Sequence, residues 1–305
     1  MPLVLMPVDG GPPVAAIAWA EETLVAGVGP AVLWIDPRSP AHPTPLITAD
    51  DDVAAVAVSA DSRTLAVADD AGAATLARLP GGAVVAALRA HAPMASAAAW
   101  LPSRAERLVT GGMDATVALW DSGARRCVRR WAAGAGVAGD DASEGRLFNP
   151  PFVHALAVMP AGTPRPAAGL AAAACGDGAV LLIDAESAPA GTAGTAPSPL
   201  LALGLAQGGH TAAAAAAAFV GPRLLATGGD DGRVLLWDWG AALAAGDAVR
   251  LPPAWRAVAA SVPAGPPARV ADVGHGRKVQ ALAAGPGGAL AVCDVTSMVT
   301  LCALG

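Results

Sequence analysis

Two stretches of this 305-residue chain nearly superimpose on each other: LVTGGMDATVALWD (Leu108–Asp121) and LATGGDDGRVLLWD (Leu225–Asp238). Each runs from an apolar strand into Thr-Gly-Gly, through a tight Asp-containing turn, and into an alternating strand closed by Trp-Asp. Gly and Asp supply the turn and period-two apolar residues supply the strands, so each stretch is a β-hairpin. A hairpin written twice constrains the fold more than any bulk property, because repetition marks an architecture built from stacked units.

With this template, weaker copies appear at Leu24–Asp36, Leu65–Leu79, Ala171–Asp184 and Leu290–Leu304. The positions equivalent to the hairpin's Trp are then 35, 77, 120, 183, 237 and 302, spaced by 42, 43, 63, 54 and 65 residues. The first two spacings match the roughly 40–45-residue unit of a β-propeller blade. The longer ones need insertions, and low-complexity segments lie in the right places, at Ala132–Arg146, Ala188–Ser198 and Gly240–Pro267. Another apolar strand precedes each hairpin, and segments such as CVRRW at Cys127 supply an outer fourth strand. The reading is an all-β chain with one propeller domain over 1–305 and six four-stranded blades. These lie at about 14–50, 51–90, 91–131, 149–205, 210–255 and 275–305, with insertions at about 132–148, 186–200 and 240–268.

Four polar residues recur in register with the hairpins. His91, Thr110, Asp114 and Trp120 form one set, and His210, Thr227, Asp231 and Trp237 the other. In both, the Asp follows the Thr by four and precedes the Trp by six. These sets resemble the buried hydrogen-bond tetrad of the WD-repeat family, and the resemblance implies a WD-repeat β-propeller acting as a non-catalytic interaction scaffold. Burying an imidazole, a carboxylate and an indole is costly unless each is hydrogen-bonded, which suits a closed network. A His/Asp/Thr set also fits nucleophilic catalysis, but recurrence in two repeats favours framework over a single active site. The fourth copy departs from the pattern with Ala173 and Ile183, and the sixth with Val292 and Cys302.

A narrower resemblance, to the WD repeat-containing protein 53 family, rests on GRLFNPPFVHAL (Gly145–Leu156), HGRKV (His275–Val279) and ALAVCDVTSMVTLCAL at the end. That family carries a further N-terminal repeat, so a six-bladed ring closed by a strand near Leu3–Val8 and a shortened seven-bladed one both stand.

Composition removes other classes. Hydrophobic residues make up 54% and charged ones 14%, with 36 Gly and 27 Pro. That is too apolar for a disordered chain and too rich in turn formers for a helical bundle. No apolar run reaches the roughly 18 residues of a membrane span, and the start lacks a basic signal region. An intracellular protein, cytoplasmic or nuclear, is expected, with Cys127, Cys175, Cys293 and Cys302 as reduced thiols. A net charge of −6 argues against a duplex-binding surface. Arg125, Arg126, Arg129 and Arg130 beside Trp131 read as a solvated edge strand. The alanine excess is read as genome composition. No cofactor and no metal site is expected, since no second His or Cys lies at ligand spacing from His154.

Two segments are candidates for binding partner proteins. In Trp34-Ile35-Asp36-Pro37-Arg38, Asp36 and Arg38 match the W-D-x-R signature by which WD-repeat substrate receptors dock on the adaptor of cullin-4 ubiquitin ligases, with Ile35 in the Trp place. That resemblance implies that Arg38 donates charge-assisted hydrogen bonds across an interface while Asp36 holds the turn. The competing reading leaves Asp36 capping a turn and Arg38 solvated. In Asn149-Pro150-Pro151-Phe152, paired prolines stiffen the loop and present Phe152 as an anchor, or Phe152 packs beneath the acidic insertion before it. The partners expected are other proteins, with this chain a monomer within a complex. The alternative is a structural subunit of a ciliary, chromatin or ribosome-biogenesis assembly.

Overall fold

The computed structural model describes residues 12–39, 42–134, 149–186, 199–245, 255–256, 260, 269–285, 288–296 and 299–303. They form six antiparallel sheets, each with its strands in chain order. The first holds β1 (Val14–Ala20), β2 (Thr23–Val28), β3 (Ala31–Ile35) and β4 (Thr44–Thr48); the second holds β5 (Val53–Val58), β6 (Thr64–Asp69), β7 (Ala73–Arg78) and β8 (Ala83–Arg89). The third holds β9 (Ala95–Trp100), β10 (Arg107–Gly112), β11 (Thr116–Asp121) and β12 (Arg126–Ala132). The fourth holds β13 (Val153–Val158), β14 (Leu170–Cys175), β15 (Val180–Asp184) and β16 (Leu201–Leu203); the fifth holds β17 (Ala214–Val220), β18 (Leu224–Gly229), β19 (Arg233–Asp238) and β20 (Arg269–Gly274). The sixth has three strands among the described residues, β21 (Val279–Ala284), β22 (Ala289–Asp294) and β23 (Val299–Ala303). The closing strand expected near residues 3–8 lies outside the described residues.

The chain packs as two compact units, Met1–Asp114 with Ala118–Val128, and Ala115–Val117 with Arg129–Gly305. Within each unit, the innermost strands of successive sheets pack on one another, β1 on β5 and β5 on β9 in the first, β13 on β17 and β17 on β21 in the second. A sheet sandwiched between two others is buried on both faces, so its middle strands carry continuous apolar runs rather than alternation. β6 (TLAVAD) and β18 (LLATGG), in sheets with a packed neighbour on each side, are buried almost throughout. Small residues set the spacing there: a Cβ on Gly228 would lie 2.4 Å from a Val279 methyl of the next sheet, and one on Gly27 would lie 2.6 Å from Val53.

The hairpin register holds across the repeats. Leu24 faces Ile35, Leu65 faces Ala77, Ala171 faces Ile183, Leu225 faces Trp237 and Leu290 faces Cys302. Inner-strand side chains in register with one another point at the preceding sheet. Trp100, opposite Leu108, is 5% exposed. Trp19, opposite Leu24 in the first sheet, is 59% exposed. On the other side, Leu236 lies beneath the sixth sheet at 6% exposure, whereas Leu301 in the same register of β23 is 76% exposed.

Two features depart from the sequence reading. The fifth sheet's fourth strand is β20, at Arg269–Gly274, and not a segment before residue 255. The segment read as a low-complexity insertion begins with a short helix α1 (Trp239–Ala245), which buries Trp239, Ala242 and Leu243 against the core of the fourth and fifth sheets. Trp255 joins that core edge-on to Trp239, ring centroids 6.3 Å apart, and donates its indole N–H to Asp184 at 2.6 Å. The arginine-rich segment is β12, an outer strand, with Arg129 5.8 Å over the Trp131 ring and Arg130 bonded to the Thr116 hydroxyl.

Candidate protein-interaction site

The two polar sets form closed networks. His91 Nδ1 lies 2.9 Å from Asp114, His91 Nε2 lies 2.8 Å from the Thr110 hydroxyl, and Trp120 Nε1 donates to that hydroxyl at 3.0 Å. His210 makes the same contacts with Asp231 at 3.0 Å and Thr227 at 2.9 Å, and Trp237 donates to Thr227 at 3.0 Å. One proton assignment satisfies every group: indole N–H to Thr oxygen, Thr O–H to His Nε2, and His Nδ1–H to carboxylate. Burial pushes the Asp231 carboxyl upward, but His210 and the backbone N–H groups of Thr211 and Arg233 outweigh it and hold its pKa below the ordinary value. Thr-His-Asp here has the spacing of a nucleophilic triad, yet both hydroxyls are fully buried and already accept an indole N–H. They are closed to substrate.

Glycine at the end of the second strand makes room for the ring, since a Cβ on Gly112 would meet His91 at 2.3 Å. In the sixth sheet that place is taken by Asp294, which instead bonds His275 Nε2 at 2.9 Å. The Thr296 hydroxyl and N–H, with His275, hold the Asp294 carboxyl down at about 2. In the second sheet the same place is Asp69, buried, with one oxygen on the Ala73 N–H and the other without a partner. Burial, then repulsion from Asp50, pushes its carboxyl up. Sequence reasoning passed over Asp69 and Asp294 because its template ran through glycine at that place.

In four of the sheets an Asp closes the third strand, and its partner varies. Asp121 meets Arg107, Asp238 meets Arg223 and Asp184 meets Trp255. In the first sheet the facing strand offers no arginine, and Asp36 is met by Arg38 from its own turn. The Asp36 carboxylate accepts the Arg38 N–H at 2.9 Å, its Nε–H at 3.0 Å and its Nη2–H at 3.3 Å, while Ser39 N–H closes the turn on the Asp36 carbonyl. These contacts hold the Asp36 pKa below and the Arg38 pKa above the ordinary values. Arg38 also lies 3.6 Å from Glu22, and its side chain remains 76% exposed. Asp36 thus caps a turn, and Arg38 is oriented by it yet solvent-facing.

Arg38 stands on the rim of a cleft of about 760 Å³ between the first and second sheets. Its walls are the β1–β2 turn, the β5–β6 turn and the start of the β7–β8 connection, with Trp34 and Leu79 reaching the core beneath. Two of the four non-glycine residues with positive φ among the described residues, Glu21 and Ser62, lie in these turns. Trp34 was quoted in the sequence only as part of its motif; its position one before the Trp-equivalent Ile35 was the available signal. Phe152 is not part of the cleft. It is half-buried, with its N–H on the Pro150 carbonyl and its carbonyl accepting from Gly176, and the acidic insertion before it lies outside the described residues. His154 is half-buried, and burial lowers its pKa. Among the described residues no cluster of three or more His, Cys, Asp or Glu suits a metal ion, and no helix is long and apolar enough to cross a membrane.

Comparison with known proteins agrees with this picture. The sequence profile of the WD domain, G-beta repeat, matches residues 82–121 and 207–238, which end on the two complete tetrads. No curated protein matches the chain as a whole. Among solved structures, the RRP9 WD40 repeats align with a TM-score of 0.66 at 14% identity over 94% of this chain and 75% of that one. The WD40 β-propeller domain of Doa1 aligns at 0.65 and 14%, over 94% and 77%. The chain has the fold of the WD40 β-propellers and carries WD, G-beta-type repeats in its third and fifth sheets.

Proposed function

We propose that this protein is a substrate receptor or adaptor of a cullin-4-type ubiquitin ligase, docking through Asp36 and Arg38. WD40 propellers in general are protein-interaction scaffolds, and binding residues concentrate on loops held by a rigid frame. The observation that carries the finer reading is the state of Arg38, preoriented by Asp36 and 76% exposed beside a cleft. A preoriented guanidinium loses less conformational freedom when it forms a charge-assisted bond across an interface. The likeness of other segments to the WD repeat-containing protein 53 family belongs to the same proposal, as does an intracellular location.

The competing reading is a structural subunit of another assembly. It draws on the Glu22 contact, which leaves Arg38 engaged within its own chain. Affinity purification of the full chain beside Arg38→Ala separates the two. Loss of the ligase adaptor from the variant, with thermal stability unchanged, supports docking through Arg38. Undiminished recovery of the adaptor overturns it, and recovery of a different stable assembly by both proteins favours the structural subunit.

A further inference from the structure

The cleft between the first two sheets carries more than Arg38. Its base is apolar: Trp34 and Leu79 are half-buried on the cluster of Ala20, Val25, Val32, Val53 and Val56. Five of the chain's eight tryptophans satisfy their indole N–H within the fold, Trp100, Trp120, Trp237, Trp239 and Trp255. Trp34 Nε1 has no hydrogen-bond partner among the described residues and lines the cleft. A half-buried indole with an unmet donor is the residue type that anchors protein interfaces.

The rim is negative. Asp36 and Glu22 hold Arg38 between them. Asp61 accepts the Ser59 hydroxyl and the Arg63 N–H, which keep its carboxyl charged. Arg38 and Arg63 are the two cations on the walls, against Asp61, Glu22 and Glu21 on the walls and Asp36 beside them. Glu21 makes no hydrogen bond or ion pair among the described residues, and it is presented at a turn residue with φ of 54°. Non-glycine residues held in that region tend to mark functional positions. The unmet groups at the cleft are therefore one indole donor, one apolar base, the Glu21 carboxylate and the Arg63 guanidinium, in a rim where carboxylates outnumber cations.

We propose that this cleft is a peptide-docking site whose occupant is a segment of a partner protein bearing an apolar side chain next to a Lys or Arg. The apolar side chain seats on Trp34 and Leu79, a backbone carbonyl of the segment accepts the Trp34 indole N–H, and the basic head pairs with Glu21. The inference stands apart from the ligase reading, because it requires Trp34 and Glu21 and not the guanidinium of Arg38.

The test is selection of a random dodecapeptide phage library on the immobilised full chain, with Trp34→Ala as the counter-target. Enriched peptides are expected to pair an aromatic or aliphatic residue with Lys or Arg. The most enriched sequence, made synthetically with a fluorescein label, is expected to bind wild type and to lose at least about tenfold in affinity for Trp34→Ala. Binding should fall several-fold for Glu21→Gln and weaken with added salt, because the rim pair is exposed. Arg38→Ala should keep the peptide whether or not it keeps the ligase adaptor, so the two proposals fail separately. Glu21 is exposed, so Glu21→Gln is expected to keep the fold, which keeps the test valid should Trp34→Ala be unstable. No enrichment over the counter-target, enrichment of acidic peptides, or equal affinity for wild type and Glu21→Gln overturns the proposal.

Discussion

Trp100 of the third sheet donates its indole N–H to the backbone carbonyl of Ala57 in the second, at 3.1 Å. The bond runs between neighbouring sheets, and it fastens a ring that is already buried in their shared core. Trp19 occupies the same register in the first sheet and lies open.

One residue type in one register therefore has two energetic values. Trp100→Ala is expected to cost about 3–5 kcal/mol, the range for a buried aromatic. Trp100→Phe keeps most of the packing and should lose about 1 kcal/mol with the hydrogen bond. Trp19→Ser should stay within about 0.5 kcal/mol of wild type. Urea unfolding of the full chain measures all three, and equal losses at 19 and 100 would show that the register carries no such difference.

The Thr hydroxyls hold the centre of each tetrad. Thr227→Val preserves the shape but leaves His210 Nε2 and the Trp237 N–H without their shared partner in a fully buried site. A loss of about 1–3 kcal/mol is expected, and Thr110→Val should behave alike. The same measurement on Ala173→Thr in the fourth sheet should show no gain, because Ile183 stands there in place of the Trp and offers no donor.

Two kinds of carboxylate give opposite responses to pH. Asp231 and Asp294 are held below their ordinary values, so the stability they lend is complete above about pH 4 and is lost as pH falls through the folded values, about 2 for Asp294. Asp69 is pushed up by burial, so its contribution is present at low pH and is lost as pH rises through the raised value. Asp69→Asn keeps the acceptor for the Ala73 N–H and removes the charge. Thermal melts should show the variant more stable than wild type at pH 7 and equal to it near pH 4. A variant less stable at pH 7 would mean that the charge is compensated.

Trp255→Phe keeps the ring in the apolar cluster but strips Asp184 of a 2.6 Å donor. A bond to a charged group is worth about 1.5–3 kcal/mol, and a loss in that range is expected. Urea unfolding of the full chain measures it, and an unchanged midpoint would show that the bond contributes nothing.

Much of the architecture was legible because the hairpin repeats itself. Thr-Gly-Gly and Trp-Asp gave a register, and that register carried over to sheets where Ala77 or Cys302 replaces the Trp, since strand pairing follows backbone spacing and not side-chain identity. The positions of both tetrads were legible for the same reason. What stayed hidden depends on contacts between distant segments. Trp255 looked like part of a low-complexity insertion because its partner, Asp184, comes from a distant strand. Asp36 and Arg38 were visible as a triplet and pair within their own turn, but the cleft beside them arises only where the β1–β2 and β5–β6 turns come together.

The open face around Ile17 and Trp19 also sets an order of motion. Within its own unit, and among the described residues, the first sheet has one packed neighbour, β5, whereas the second lies between β1 and β9. Opening a sheet that has one neighbour exposes less apolar surface than opening one that has two, so it takes less free energy. Backbone amides of β2 and β3 should therefore exchange with deuterium sooner than those of β6 and β7, though both pairs carry complete hydrogen-bond ladders. The candidate docking residues Trp34, Asp36 and Arg38 sit at the end of β3, on the strand pair that loosens first. A partner that grips them would slow that exchange and make the least protected part of the unit one of its steadier ones.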